Sequence, residues 1–207
     1  LSLQGYWSRF MPAAIFLDLL SRTAERPRFK GLLDIGCGYG LQPRILRGLD
    51  VVSEATGIDV IDRASGIDPQ GLKRNHRRFR RFRHVEPWLM RLDERPLESL
   101  SGFQRTLVQK VQTPRREIRK RMGYLLPQSV YDRKFVKDPV LDHFIEGNVY
   151  DLDQTFDLIT AYSSLEWFDK ERIFPKISSL LEPDGVFYMY VGNWWASNAV
   201  TKIAGHF

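Results

Sequence analysis

Three glycines at alternate positions, Gly36, Gly38 and Gly40, follow directly on the apolar run Leu32, Leu33 and Ile35. The run is long enough for a short buried strand, and the residues from Pro43 to Leu49 can open a helix. Strand, glycine turn and helix in that order let a backbone come close to a ligand while the helix start offers free N–H groups. A dinucleotide fingerprint wants glycines at positions one, three and six of the turn. Here the third glycine falls at position five and Leu41 occupies position six. The stretch therefore predicts an α/β chain with a ligand site after its first strand, and a ligand other than a standard dinucleotide.

The pattern of elements extends that reading. Tyr6, Trp7 and Phe10 lead into a helix expected over Ala13–Leu20, and Arg26-Pro27 separates it from the first strand. A helix over Gln42–Leu49 and a loop over Gly48–Ser53 should precede a second strand, Ala55–Val60. Asp59 lies at the C-terminal end of that strand, 19 residues past Gly40, where an acid in an open α/β sheet can accept two ribose hydroxyls. Asp62 competes for that role. Phe144–Val149 covers a third strand and its following loop, and Phe156–Tyr162 a fourth. Asp157 opens the fourth strand and reads as structural. Asp169 can cap a helix whose buried stripe is Ile173, Phe174, Ile177, Leu180 and Leu181. Pro183-Asp184-Gly185 reads as a turn before a fifth strand, Val186–Val191. This order predicts a doubly wound, mostly parallel sheet.

One segment breaks the rhythm. More than 80 residues separate the second strand from the third, where a single crossover helix would suffice. Residues 63–137 carry 20 Lys/Arg against 7 Asp/Glu, while the rest of the chain holds 11 against 18, so the positive excess lies wholly in this insertion. Its prolines and helical spacing (Phe103, Leu107, Val111, Ile118, Met122) predict a helical cap between strands two and three. Residues 1–62 and 138–207 then form the sheet domain. The run from Lys73 to His84 includes Arg77, Arg78, Arg80 and Arg81, and a second basic cluster spans Arg115–Arg121. Such runs suit phosphates or an acidic membrane surface. A solvated helix face, anchored by Phe79 and Phe82, is the plainer account. With one cysteine and four histidines, a Cys/His zinc site is excluded, and no metal is expected. No stretch of 18 apolar residues occurs, and the N-terminus lacks a signal-peptide layout. The lone Cys37 fits a reducing, cytoplasmic setting.

Asp34, two residues before Gly36, together with the glycine spacing, Asp59 and the Phe156–Phe168 stretch, resembles the class I S-adenosylmethionine-dependent methyltransferase superfamily. That resemblance covers roughly residues 31–60 and 143–191, and it implies a Rossmann-like fold that binds S-adenosyl-L-methionine. It assigns cofactor contacts to Asp34, Gly36, Cys37, Gly38, Gly40, Asp59, Asn148, Val149 and Ala161. Asn148 would meet the adenine amino group where aspartate is more usual, and an N-terminal helix would close over the cofactor. The end of strand four would flank the reactive methyl group. Glu166 is the first candidate general base there and Tyr162 the second, with His76 or His84 reaching in only from a cap folded over the site. The absence of an N-P-P-Y-type tetrapeptide speaks against adenine-N6 and glutamine-N5 methylation. Trp194 and Trp195 could line an acceptor pocket. The family's sheet has two further strands that this sequence, ending at Phe207, does not reach.

The leading expectation is a methyltransferase for a small or glycan-like, anionic acceptor recruited by the basic insertion. An RNA methyltransferase and a non-catalytic scaffold or partner subunit are the alternatives, with peripheral membrane contact also compatible with the charge. Oligomeric state is not legible in the sequence.

Overall fold

The computed structural model describes residues 3–23, 28–78, 80, 101, 102, 104 and 132–190. Helix α1 (Leu3–Thr23) is followed by β1 (Phe29–Ile35), α2 (Leu41–Gly48) and β2 (Val52–Asp59). After the insertion come β3 (His143–Glu146), β4 (Phe156–Tyr162), α3 (Lys170–Leu180) and β5 (Leu181–Tyr190). The strands form one sheet in the order β3-β2-β1-β4-β5, and all four pairings are parallel. The chain runs outward from β1 to β3, then returns to the other side of β1 for β4. That reversal puts a switch point between the C-terminal ends of β1 and β4.

Alternation along the strands builds two apolar layers. Leu32, Ala55 and Leu158 pack with Phe10, Phe16, Leu17 and Ile45 on one face. Their neighbours Leu33, Ile58 and Ile159 pack with Ile173, Ile177 and Leu180 on the other. A sheet covered on both faces needs strands that are apolar on both faces, and every residue of β4 is buried. α1 therefore contributes Phe10 to the sheet core.

Asp157 confirms its structural role. Its carboxylate accepts hydrogen bonds from the Lys30 and Gly31 N–H groups at 2.7 and 2.9 Å. β4 pairs with β1 only at Leu32, Leu33 and Asp34, so this side chain completes the ladder one step earlier. Asp169 caps α3 by accepting from Glu171 N at 3.0 Å. Three local expectations are corrected. β2 begins at Val52, inside the expected loop, because β1 pairs with it from Phe29 onward. Phe174 is exposed, since the buried stripe of α3 closes on Ile173, Ile177 and Leu180 alone. Pro183–Gly185 lies within β5 as a register shift between Phe156 and Leu158 rather than as a turn before it. Gly185 is needed there, because a Cβ would stand 2.8 Å from Leu181 Cδ1 and 2.9 Å from Glu182 O.

Of the insertion, the two roots are described. Residues 69–78 are helical, with Leu72, Asn75 and His76 buried and Arg77 and Arg78 exposed. The returning segment docks on α2, where Val136 N and Lys137 N both donate to Gly48 O. Arg81, His84, the cluster Arg115–Arg121 and most of the expected cap lie outside the described residues, as do Trp194 and Trp195.

His76 joins these parts. Its ring stacks on Phe135 at 4.0 Å, meets Phe10 at 5.6 Å, and its Nε2–H donates to Arg133 O at 2.8 Å. Burial pushes its imidazole down to about 4. The folded chain thus keeps His76 neutral where the unfolded chain, at 6.5, takes up a proton. Stability should fall by about 3 kcal/mol as pH drops from 6.5 through 4. A His76→Phe variant should lack that part of the slope in urea titrations at stepped pH. An unchanged slope would show that another group carries the acid sensitivity.

Candidate functional site

A cleft of about 580 Å³ opens along the C-terminal ends of β1, β2 and β4. Three of its walls are the loops that leave those strands, and Gly147, Asn148 and Val149 after β3 add a fourth.

The loop after β1 is shaped by its glycines. Gly36, Gly38 and Gly40 have φ of 65°, 55° and 60°, in the left-handed region that side chains with a Cβ rarely adopt. Gly36 is also a point of close approach, since a Cβ there would lie 2.5 Å from Ser164 Cβ. Gly38 is different: beyond its chain neighbours a Cβ would meet no atom of the described residues within 4 Å, so among them the space beside this stretch of cleft wall is open. Gly40 is not part of the wall. It caps α2 in the left-handed conformation, with its own N–H donating to Cys37 O at 2.8 Å, so its work is in the turn.

Asp59 ties this loop to the end of β2. One carboxylate oxygen accepts from Gly38 N and the other from Val60 N, each at 2.8 Å. Each oxygen keeps a further lone pair for a ligand hydroxyl. Asp62 is spent on its own turn, accepting from Ala64 N and Ser65 N at 2.9 and 3.0 Å, and stands outside the cleft wall. Asn148 lines the cleft while its carbonyl oxygen accepts from Tyr150 N at 3.2 Å, which leaves its amide donors available. Val149 lines the cleft as well, but Ala161 is packed inside the sheet and does not reach it.

Asp34 sits at the floor, 1% exposed, at the end of β1. Thr160 Oγ1 donates to it at 2.7 Å. Among the described residues no cation pairs with it. Burial pushes its carboxyl up to about 7, the Thr160 hydroxyl opposes that rise, and Asp59 adds to it. A buried carboxyl without a cation, facing a cleft, favours a positively charged ligand group. Cys37 is nearly buried in the same wall, with its sulfur 2.6 Å from where a Cβ on Gly57 would sit, which explains a glycine in the middle of β2. Burial and the Asp34 and Asp59 charges push its thiol far up, so it is an inert neutral group.

On the β4 side the two catalytic candidates stand differently with respect to the cleft. Tyr162 lines the cleft, but its hydroxyl oxygen is inaccessible and has no hydrogen-bond partner among the described residues. Burial holds its phenol well above the ordinary value. Glu166 is exposed on a short 3-10 turn (Leu165–Trp167) and is not in the wall. His76 is packed between Phe10 and Phe135, away from the cleft.

Residues that sequence reasoning passed over fill the remaining wall. Ser163 has φ 53°, a strained value for a non-glycine residue, and donates its N–H to Tyr190 O at 2.7 Å. Ser164 is buried and its hydroxyl donates to Ile35 O at 2.6 Å, locking the β4 loop onto the end of β1. Trp167, Tyr39 and Arg63 stand at the mouth. The order Ser-Ser-Leu-Glu-Trp carried one usable signal, an aromatic placed just beyond a buried strand.

Comparison with known proteins adds a family. A family model described as "Methyltransferase domain" matches residues 6–197. No curated protein matches the chain. Among solved structures, the plantazolicin methyltransferase BpumL, crystallised with a monoazolic desmethylPZN analog and SAH, is similar at 13% identity and TM-score 0.47 over 89% of this chain and 47% of that one. The ribosomal protein L11 methylase from Lactobacillus delbrueckii subsp. bulgaricus is similar at 14% identity and TM-score 0.40, over 86% of this chain and 57% of that one. A Haloferax volcanii putative methyltransferase, in complex with the Trm112 methyltransferase activator, is similar at 15% identity and TM-score 0.43, over 90% and 54%. The chain thus spans about half the length of these structures.

Proposed function

The chain belongs to the methyltransferase-domain family, with the Rossmann-like class I fold, and on that premise we propose that it transfers a methyl group from S-adenosyl-L-methionine to a small or glycan-like anionic acceptor. The observation that carries the reading is the floor of the cleft, where Asp34, the Gly36–Gly38 backbone and Asp59 converge at the switch point.

These residues fit the cofactor. The open space beside Gly38 lets a ligand approach the backbone, and Asp59 has lone pairs left for the ribose hydroxyls. The buried Asp34 carboxyl supplies the negative charge that a sulfonium or ammonium group requires. Asn148 can donate its amide to an adenine ring nitrogen. When bound, the cofactor supplies an activated methyl group with its leaving group built in, so the protein's part is mainly positioning. Ser164 and Asp59 hold the β1 loop from two sides, through Ile35 O and Gly38 N, and so keep that wall in place without a ligand.

The acceptor class rests on charge. The cationic excess lies in one insertion whose root enters the cleft wall at Arg63, and the exposed Arg77 and Arg78 follow on its first helix. Transfer of label from methyl-tritiated cofactor to sugar phosphates, nucleotide-linked sugars and RNA, each at 50 and 200 mM salt, tests this reading. Label on a small anionic acceptor with modest salt sensitivity is the expected result. Label on RNA alone, lost by about a thousandfold or more between those salts, would move the function to RNA methylation. No transfer to any acceptor despite cofactor binding favours a partner subunit.

A further inference from the structure

The outer part of the cleft differs in chemistry from its floor. Asp34, Gly36 and Gly38 are buried or half-buried at the bottom, whereas Trp167 is 85% exposed and Tyr39 50% exposed at the mouth. An isolated exposed apolar residue is ordinary; two aromatics on one cleft, on opposite loops, are a feature of recognition surfaces.

Trp167 is held out rather than left out. Its turn is fixed by buried Leu165 and by Ser164, whose hydroxyl donates to Ile35 O at 2.6 Å. Trp167 N donates to Ser164 O and Phe168 N to Leu165 O, both at 3.2 Å, and Asp169 then caps α3. Backbone strain at Ser163 begins the same turn. The turn is thus rigid at its backbone and presents a large apolar ring whose exposed surface a ligand ring would cover. Arg63 stands in the wall at the end of the β2 loop, exposed, with no ion pair or hydrogen bond to any described residue. Four cations near the insertion roots are occupied: Arg74 pairs with Asp68, Lys73 with Asp138, Lys137 with Asp50 and Arg47 with Asp142. Arg63 is set apart from the remaining cations of the described roots by its place in the cleft wall.

We propose that Trp167, Tyr39 and Arg63 form the acceptor subsite, taking a small molecule that combines a flat ring face with an anionic group. The ring lies against the aromatic side chains, and the anion pairs with Arg63 in a bidentate hydrogen bond. The proposal rests on the reading of the cleft as a methyl-transfer site, and it adds which residues choose the acceptor. Sugar rings and aryl rings share this chemistry, and the test separates them.

The experiment titrates inorganic phosphate, phenyl phosphate and glucose 6-phosphate into the protein saturated with S-adenosylhomocysteine, for the wild type, Trp167→Ala and Arg63→Ala. Both substitutions are at exposed positions. Expected is at least tenfold tighter binding of one or both ring phosphates than of inorganic phosphate. Trp167→Ala should remove that advantage, Arg63→Ala should weaken all three probes about tenfold, and S-adenosylhomocysteine affinity should stay within twofold. Phenyl phosphate ahead of glucose 6-phosphate assigns an aryl acceptor, and the reverse a sugar. Ring phosphates no tighter than inorganic phosphate overturn the subsite. A tenfold loss of S-adenosylhomocysteine in either variant also overturns it, placing that residue in the cofactor wall. A folded wild type that binds no S-adenosylhomocysteine instead overturns the methyl-transfer reading itself.

Discussion

Replacing Asp34 by Asn should stabilise the ligand-free protein by about 4 kcal/mol at pH 8. The folded chain holds this carboxyl near 7, against 3.8 in the unfolded chain, because burial disfavours its charged form. Between those values the unfolded chain has released its proton while the folded chain retains it, so stability falls as pH rises from 3.8 to 7 and is flat above. Three pKa units correspond to about 4 kcal/mol. The Asn carbonyl can still accept from Thr160, so little else is lost. At pH 4 the gain should shrink below about 1 kcal/mol, because the folded chain is then protonated and the unfolded chain sits close to its own midpoint of 3.8. Urea unfolding at the two pH values measures this. An equal gain at both would mean that packing, not ionisation, is responsible. The same variant should bind the cationic S-adenosylmethionine more weakly, since a group that destabilises the empty protein is explained by a ligand that needs its charge.

Gly36→Ala carries the second largest effect, in the other direction. The new Cβ stands 2.5 Å from Ser164 Cβ on a backbone with φ 65°. Left-handed strain costs about 1 kcal/mol and overpacking against a locked neighbour about 2 more, so a loss of about 3 kcal/mol is expected. Gly38→Ala shares the strain without the contact and should lose about 1 kcal/mol. Denaturation of both variants, and of Gly36→Ala combined with Ser164→Gly, separates the two causes. Equal losses at Gly36 and Gly38 would remove the Ser164 contact from the account.

The features that could be read in advance were those fixed by short-range chemistry. Positive φ demands glycine, so Gly36, Gly38 and Gly40 announced a turn. Buried strands demand apolar runs, so β1, β4 and the parallel order followed. Asp157 and Asp169 were legible because their positions, at a strand start and before an apolar helix, have few other uses. The placing of side chains about the cleft needed the third dimension. Glu166 follows β4 at a suitable distance along the chain, yet the 3-10 turn that buries Leu165 leaves it outside the wall and Trp167 inside it. Tyr162 lies where expected, but its hydroxyl is sealed within the core. Gly40 and Ala161 share motifs with cofactor candidates while serving the turn and the sheet. Arg63 could not be distinguished from 19 other cations of the insertion until its place in the cleft wall was visible.

The most direct measurement is calorimetric titration of S-adenosylmethionine and S-adenosylhomocysteine into the wild type and Asp59→Ala. Asp59 holds Gly38 N and offers its remaining lone pairs to the cleft, so its removal strikes the site and leaves both apolar layers intact. Saturable wild-type binding that weakens at least tenfold in the variant, about 1.4 kcal/mol, is the predicted result. A folded wild type that binds neither compound would contradict the account at its centre.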